Sequence, residues 1–270
     1  MTKPHVIVLG NEKGGTGKST VSMHLISSYL EAGYKVGSID VDARQGTLTR
    51  YMENRLQTKK SSGKTLLMPE HHSLFSSEET SRLKASEQDD HAVEEVFMKL
   101  SSCDVIVADT PGNNTSLSTA VHMRADTLIT PLNDSFVDLD MLVRVDGASM
   151  DILRPSVYAE MVWEQRKKRA SRDRGSIDWI VLRNRLTTIN ARNKGEMERI
   201  LRALSKRIGF RIGEGFCERV VFKELFLSGL TLLDLERMEM SLKLSHIAAR
   251  QELKSLIGTI QIQRDTVKTV

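Results

Sequence analysis

Val6-Ile7-Val8-Leu9-Gly10-Asn11-Glu12-Lys13-Gly14-Gly15-Thr16-Gly17-Lys18-Ser19-Thr20 reads as a short buried strand, a glycine-rich turn and the first residues of a helix. A phosphate-binding loop requires that succession. Glycines let the backbone come close to an anion, and the N–H groups of the turn and of the helix start then point at it. In this reading Gly14, Gly15, Thr16, Gly17 and Thr20 cradle the phosphates of ATP. Lys18 neutralises the β- and γ-phosphates, and the Ser19 hydroxyl ligates Mg²⁺. ATP and Mg²⁺ are thus the expected cofactors. The strict pattern G-x-x-x-x-G-K-[ST] fails at its first position, where Glu12 stands. The stretch fits instead the variant K-G-G-x-G-K-[ST], whose additional lysine is Lys13.

On either side of the loop, Val- and Ile-rich runs alternate with segments of helical period, the pattern of βα units around a mostly parallel sheet. The strands are expected at 5–10, 35–40, 104–109, 127–131 and 179–183, and helices at 18–32, 92–101, 116–124, 138–153 and 191–208. This predicts an α/β, doubly wound fold of the P-loop type, with residues 1–270 as a single domain. From about 56 to 91 the chain is polar with little hydrophobic period, and is expected to be a surface insertion. Its Ser62-Gly63-Lys64-Thr65 lacks a preceding buried strand and is not a second phosphate loop. Open α/β sheets hold ligands at the carboxyl ends of their strands. Two strands end there in carboxylates: Ile39-Asp40-Val41-Asp42, and Val105-Ile106-Val107-Ala108-Asp109 followed by Thr110-Pro111-Gly112. An aspartate so placed holds the Mg²⁺ shell directly or through water.

Composition narrows the function classes. The chain has 270 residues, 40% hydrophobic, and no run approaches the roughly 18 apolar residues of a membrane-spanning helix. With no signal-peptide pattern at its start, a cytoplasmic location is expected. Its two cysteines, Cys103 and Cys217, lack metal spacing, so no metal beyond Mg²⁺ is implied. His71-His72 is expected to be a solvated pair, Met238 and Met240 to fill core gaps, and Arg166-Lys167-Lys168-Arg169 to form a solvated helix face.

Lys13, together with Asp40, Asp42 and Asp109-Thr110-Pro111-Gly112, resembles the ParA/MinD superfamily of deviant Walker A ATPases, which form nucleotide-sandwich dimers in bacterial partitioning and positioning. Thr130-Pro131-Leu132-Asn133-Asp134-Ser135-Phe136-Val137-Asp138, Gly229-Leu230-Thr231-Leu232-Leu233-Asp234-Leu235 and residues 179–186, 207–213 and 248–253 are similar to its MipZ branch. Those alphaproteobacterial ATPases position the division plane by inhibiting FtsZ polymerisation. The resemblance implies that Lys13 crosses a homodimer interface to the partner's nucleotide and that Asp42 orients the attacking water. It further implies that Asp40 and Asp109 support Mg²⁺ and a γ-phosphate switch, and that Asn184 contacts the adenine. FtsZ-like and ParB-like proteins are the implied protein partners, and non-specific DNA binding by the ATP dimer implies association with the nucleoid.

A basic stripe offers a place for the DNA. Between 191 and 208, Met197, Ile200, Leu201, Leu204 and Ile208 recur at helical spacing and mark a core side. Arg192, Arg199, Arg202 and Lys206 fall on the opposite side, within about 80° of one another on the helical wheel. Arg219 and Lys223 are expected to extend the patch. No aromatic residue interrupts the stripe, so phosphate contacts with little sequence preference are expected. Three other readings fit less well. A membrane-bound relative ends in a basic amphipathic helix, whereas Gly258-Thr259-Ile260-Gln261-Ile262-Gln263-Arg264-Asp265 nearly alternates, with one basic residue, so no membrane partner is expected. A cluster carrier needs bridging cysteines. An operator-binding relative needs an N-terminal helix-turn-helix, and the phosphate loop begins at about the tenth residue.

Overall fold

In the computed structural model, residues 3–41, 44–133, 135–146, 152–185 and 191–262 are described. The main sheet contains β1 (His5–Leu9), β2 (Val36–Asp40), β3 (Glu70–Ser73), β4 (Val105–Asp109), β5 (Thr127–Asn133), β8 (Asp178–Asn184) and β9 (Arg211–Glu214). All seven strands run parallel in the order β3-β2-β4-β1-β5-β8-β9. The remaining pair, β6 (Val143–Val145) and β7 (Ile152–Pro155), is antiparallel and separate.

Strand side chains alternate between faces, and β1 has apolar residues for both. Val6 and Val8 enter one core with residues of α3 (Arg82–Lys99), α4 (Ser116–His122), α6 (Val157–Asp173) and α7 (Ala191–Ile208). Ile7 and Leu9 enter the other with residues of α1 (Lys18–Glu31), α2 (Thr47–Ser62) and α9 (Leu244–Thr259). Helices thus cover both faces, as a doubly wound sheet requires. Short helices α5 (Phe136–Leu139) and α8 (Val221–Leu227) complete the set. No described helix is long and apolar enough to cross a membrane.

Several stretches differ from expectation. The stretch 56–91 is not an irregular insertion: it holds the end of α2, strand β3 and the start of α3. Glu70-His71-His72-Ser73 pairs only with β2, and a polar edge strand carries no hydrophobic signal. The helix expected at 138–153 is also absent from the described part of that range. Only Phe136–Leu139 is helical there, and β6 and β7 follow, while 147–151 lie outside the described residues.

Arg166 and Arg169 are not on a solvated face. Arg169, 4% exposed, donates to the carbonyls of Arg124 (2.7 Å) and Ala125 (2.9 Å) and pairs with Asp126 and Asp173. Arg166 donates to the carbonyls of Ile208, Gly209 and Ile177 and lies 5.5 Å from the Trp179 ring centre. Only Lys167 and Lys168 of the run are exposed. Of the two methionines assigned to core gaps, Met238 packs against a small third core and Met240 is exposed.

A buried clasp fixes the C-terminal region. Arg55, 2% exposed, meets Asp234, 0% exposed, in two parallel bonds of 2.8 Å. The same guanidinium donates to the carbonyls of Leu67 (2.9 Å) and Gly229 (3.0 Å). Gly229 adopts φ +61°, and a Cβ there would lie 2.0 Å from the Arg55 backbone nitrogen, so glycine alone permits the contact.

Candidate nucleotide site

Strand β1 delivers the chain into the loop, and α1 begins at Lys18, so the helix N-terminus faces the loop's interior. Gly17 caps the helix at φ 93°, and a Cβ there would lie 2.3 Å from Asn184 Nδ2. Two asparagines strap the loop to neighbouring strand ends. Asn11 donates to the carbonyl of Pro131 (2.6 Å) and accepts from the Lys13 amide (2.8 Å). Asn184 donates to the carbonyl of Thr16 (2.7 Å) and accepts from the Phe216 amide (2.9 Å). Asn184 is therefore largely committed to the backbone, with one amide hydrogen left for the adenine contact expected of it. The Lys18 ammonium bridges the loop, donating at 3.0 Å to the carbonyls of Asn11 and Lys13.

The loop walls a cleft of about 650 Å³ that also reaches Asp40, Asp109, Thr110 and Gly112. Thr110 is pinned to the Leu9 carbonyl (2.7 Å), and a Cβ on Gly112 would lie 3.1 Å from the Gly14 nitrogen. An adjoining cleft of about 300 Å³ shares Gly17, Ser19 and Thr20 and adds Phe216, Phe222, Phe226 and Met23. A polar groove opening onto an apolar one suits phosphates joined to a flat base. The aromatic wall escaped the sequence reading. Its signal was there: three of the chain's seven phenylalanines lie between 216 and 226.

Asp109 is 4% exposed, and its Oδ1 is buried without a hydrogen-bond partner. Burial raises its pKa to about 7; the neighbouring Asp40 adds to the rise, against the Ser19 and Ser22 hydroxyls and Lys18. An orphaned carboxylate oxygen beside the Ser19 hydroxyl fits a hard cation with oxygen ligands, so Ser19 and Asp109 would hold Mg²⁺. Asp40 is more committed, since its Oδ2 accepts from Thr49 N (2.8 Å) and Thr49 Oγ1 (2.9 Å). Mg²⁺ needs the ionised carboxylate. Mg²⁺-supported nucleotide affinity is therefore expected to hold well above pH 7 and to fall by up to about tenfold per unit below it. Titrating a fluorescent ATP analogue with Mg²⁺ and with EDTA across pH 6–8 checks this; equal slopes in both series would contradict it.

Lys13 is 36% exposed and forms an ion pair with Asp138, which is 2% exposed and also accepts from the Asn133 amide (3.0 Å). Asp42 lies outside the described residues. His71 is not solvated as expected: it bonds to Ser38 and Thr49.

On α7, Met197, Ile200, Leu201 and Leu204 are buried as the periodicity predicts. Arg199 and Arg202 project at 58% and 70% exposure and pair with Glu196 and Glu198 of their own helix. Lys206 is exposed, and the Arg192 side chain lies outside what is described. Arg219 and Lys223 do not extend this stripe. They belong to the opposite face of the sheet and line the apolar cleft, where Arg219 grips Glu252 through two bonds.

Together these residues can bind a nucleoside triphosphate and neutralise charge building on its terminal phosphates. Known structures share the fold. A Cyanothece McdA variant in complex with ATP covers 98% of this chain and all of its own, at TM-score 0.62 and 17% identity. A putative plasmid partition protein of Borrelia burgdorferi B31 bound to AMPPNP covers 95% and 99%, at 0.56 and 16%. The septum site-determining protein MinD of Pyrococcus horikoshii OT3 with Mg-ADP covers 93% and 94%, at 0.54 and 17%. An iron–sulfur cluster carrier protein of Aquifex aeolicus (strain VF5) is 50% identical over 38 residues, only 14% of this chain and 10% of that protein. Residues 5–264 match the family described as ATPase MipZ, so the chain belongs to the MipZ family of P-loop ATPases.

Proposed function

We propose that this ATPase is a dimerising switch that positions the division plane, binding DNA non-specifically as an ATP dimer and inhibiting polymerisation of an FtsZ-like protein. The carrying observation is Lys13: this loop lysine is held at the rim by Asp138, while Lys18 spans the loop interior. A lysine so placed can leave Asp138 for the nucleotide of a second subunit. In each site the loop amides and Lys18 hold the β- and γ-phosphates, and Asp42 orients the water. Mg²⁺, when bound by Ser19 and Asp109, supplies further neutralisation of the leaving phosphates. Requiring a second subunit's lysine makes turnover slow and concentration-dependent, as suits a timer. A ParB-like partner would deliver subunits to the nucleoid. Burial of Ala249, Leu253 and Leu256 of α9 against the fold argues against a membrane anchor in that helix.

Gel filtration with ATP and a phosphate-release assay test the switch. Asp42→Ala is expected to dimerise but lose most turnover, and Lys13→Ala to bind ATP as a monomer. A monomeric Asp42→Ala protein would reverse these roles. With ATP the parent protein is expected to shorten FtsZ filaments; no effect would leave a partition ATPase of ParA type. Binding to arbitrary duplex DNA is expected to need ATP, to fall steeply with salt, and to drop when Arg199 and Arg202 become alanine. Undiminished binding by that double variant would move the DNA surface off α7.

A further inference from the structure

The segment that joins β9 to α8 forms one wall of the apolar cleft, to which Phe216, Cys217, Glu218 and Arg219 all contribute. Its upstream half is tied to the end of β8. The Gly215 amide donates to the Arg183 carbonyl (2.9 Å), the Phe216 amide to Asn184 Oδ1 (2.9 Å), and the Arg185 amide back to the Phe216 carbonyl (2.7 Å). A Cβ on Gly215 would lie 2.7 Å from the Arg183 carbonyl oxygen, so a side chain there would push the segment off the strand.

The downstream half is held by a side chain from far along the sequence. Glu252 of α9 accepts from the Cys217 amide through Oε2 (3.1 Å) and grips Arg219 with both oxygens, at 2.5 and 2.7 Å. One carboxylate thus orders a backbone N–H and a guanidinium that lie two residues apart. Burial alone would raise the Glu252 pKa, but Arg219 and Cys217 outweigh it and hold the pKa below its ordinary value, which keeps the gripping form charged. Glu252 itself lines neither the apolar cleft nor the phosphate cleft. Its helix is seated by other residues, since Ala249, Leu253 and Leu256 form the buried face of α9.

A clamp so placed acts on one end of the nucleotide. The phosphate loop has its own straps, Asn11 and Asn184. The wall that carries Phe216, whose ring lies 5.1 Å from that of Phe222, relies on Glu252 for its far end.

We propose that Glu252 is a positioning residue for the base of the nucleotide: by holding Cys217 and Arg219 it sets the wall against which the base packs. This rests on the reading that the apolar cleft takes the base. Removing Glu252 should then be felt at the nucleoside end of ATP and not at the phosphates.

Calorimetric titration is expected to show ATP bound about tenfold more weakly by Glu252→Ala. Inorganic tripolyphosphate, which has the phosphates without the nucleoside, is expected to bind within about twofold of the parent. In hydrolysis, KM for ATP is expected to rise about tenfold with kcat within about twofold. Hydrogen exchange at the Cys217 amide is expected to quicken about tenfold. Glu252→Gln keeps an oxygen for that amide but turns an NH₂ group toward Arg219. It is expected to show the same selective loss at about threefold, and it carries the test if alanine disturbs α9.

ATP affinity unchanged in both variants, a loss shared equally by tripolyphosphate in Glu252→Gln, a loss carried by kcat, or unchanged Cys217 exchange in Glu252→Ala would each overturn the proposal. Phe222→Ala measured alongside separates the two readings. If it weakens ATP selectively while the Glu252 variants do not, the clamp alone fails. If it does not weaken ATP selectively, the cleft does not take the base, and the role of Glu252 falls with that reading.

Discussion

Replacing Lys18 by alanine is expected to weaken ATP binding by about a hundredfold or more, beyond the range of most direct titrations. Two losses combine. The β- and γ-phosphates lose the cation expected to neutralise them, in a cleft that Asp40 and Asp109 also line. The loop also loses its internal bridge, because Lys18 Nζ donates to the carbonyls of Asn11 and Lys13. A charge-assisted bond to a phosphate contributes about 1.5–3 kcal/mol, and each 1.4 kcal/mol is a tenfold change in affinity. Fluorescent-nucleotide titration checks this, and micromolar affinity in the variant would contradict it.

Asp234→Ala is expected to destabilise the fold by about 3–5 kcal/mol, because it leaves the Arg55 guanidinium buried and unpaired. Asp234 also accepts from the Thr231 amide (2.7 Å) and hydroxyl (2.8 Å), so those donors are orphaned too. Urea unfolding measures the loss; a change under about 1 kcal/mol would show that the site relaxes or admits water. Replacing Arg55 by methionine in the same protein should recover only part, since the carbonyls of Leu67 and Gly229 then lose their donor. Burial alone would raise the Asp234 pKa, but Arg55 and Thr231 outweigh it and hold the pKa below its ordinary value. The group's contribution is therefore present above the usual carboxylate range and is lost as pH falls through the depressed value.

Where a candidate site residue lies beside a strong local pattern, its place in the fold was readable from the sequence. The phosphate loop follows an unbroken apolar strand, and Asp40 and Asp109 end two more, so periodicity located them and both faces of the sheet. Residues whose role depends on distant chain were not. Asp138 meets Lys13 across 125 positions, and Asp234 meets Arg55 across 179. No spacing rule links such pairs. Arg166 and Arg169 looked solvated because a cation that caps buried carbonyls has the same letters as one in water. Strand β3 was missed for a related reason. Its stabilisation is backbone pairing with β2, which leaves no mark on side-chain hydropathy.

Strand β3 is also one border of the sheet. Glu70-His71-His72-Ser73 ends the sheet on one side and Arg211-Ile212-Gly213-Glu214 on the other, each only four residues long and carrying charge. On β9, Arg211 is bonded to Asp178 and to the Thr259 carbonyl, which lays the end of α9 beside that border. A short, polar or partly covered border is a poor template for a further strand. Fibre-like stacking through continuous sheets is thereby discouraged even at high local concentration.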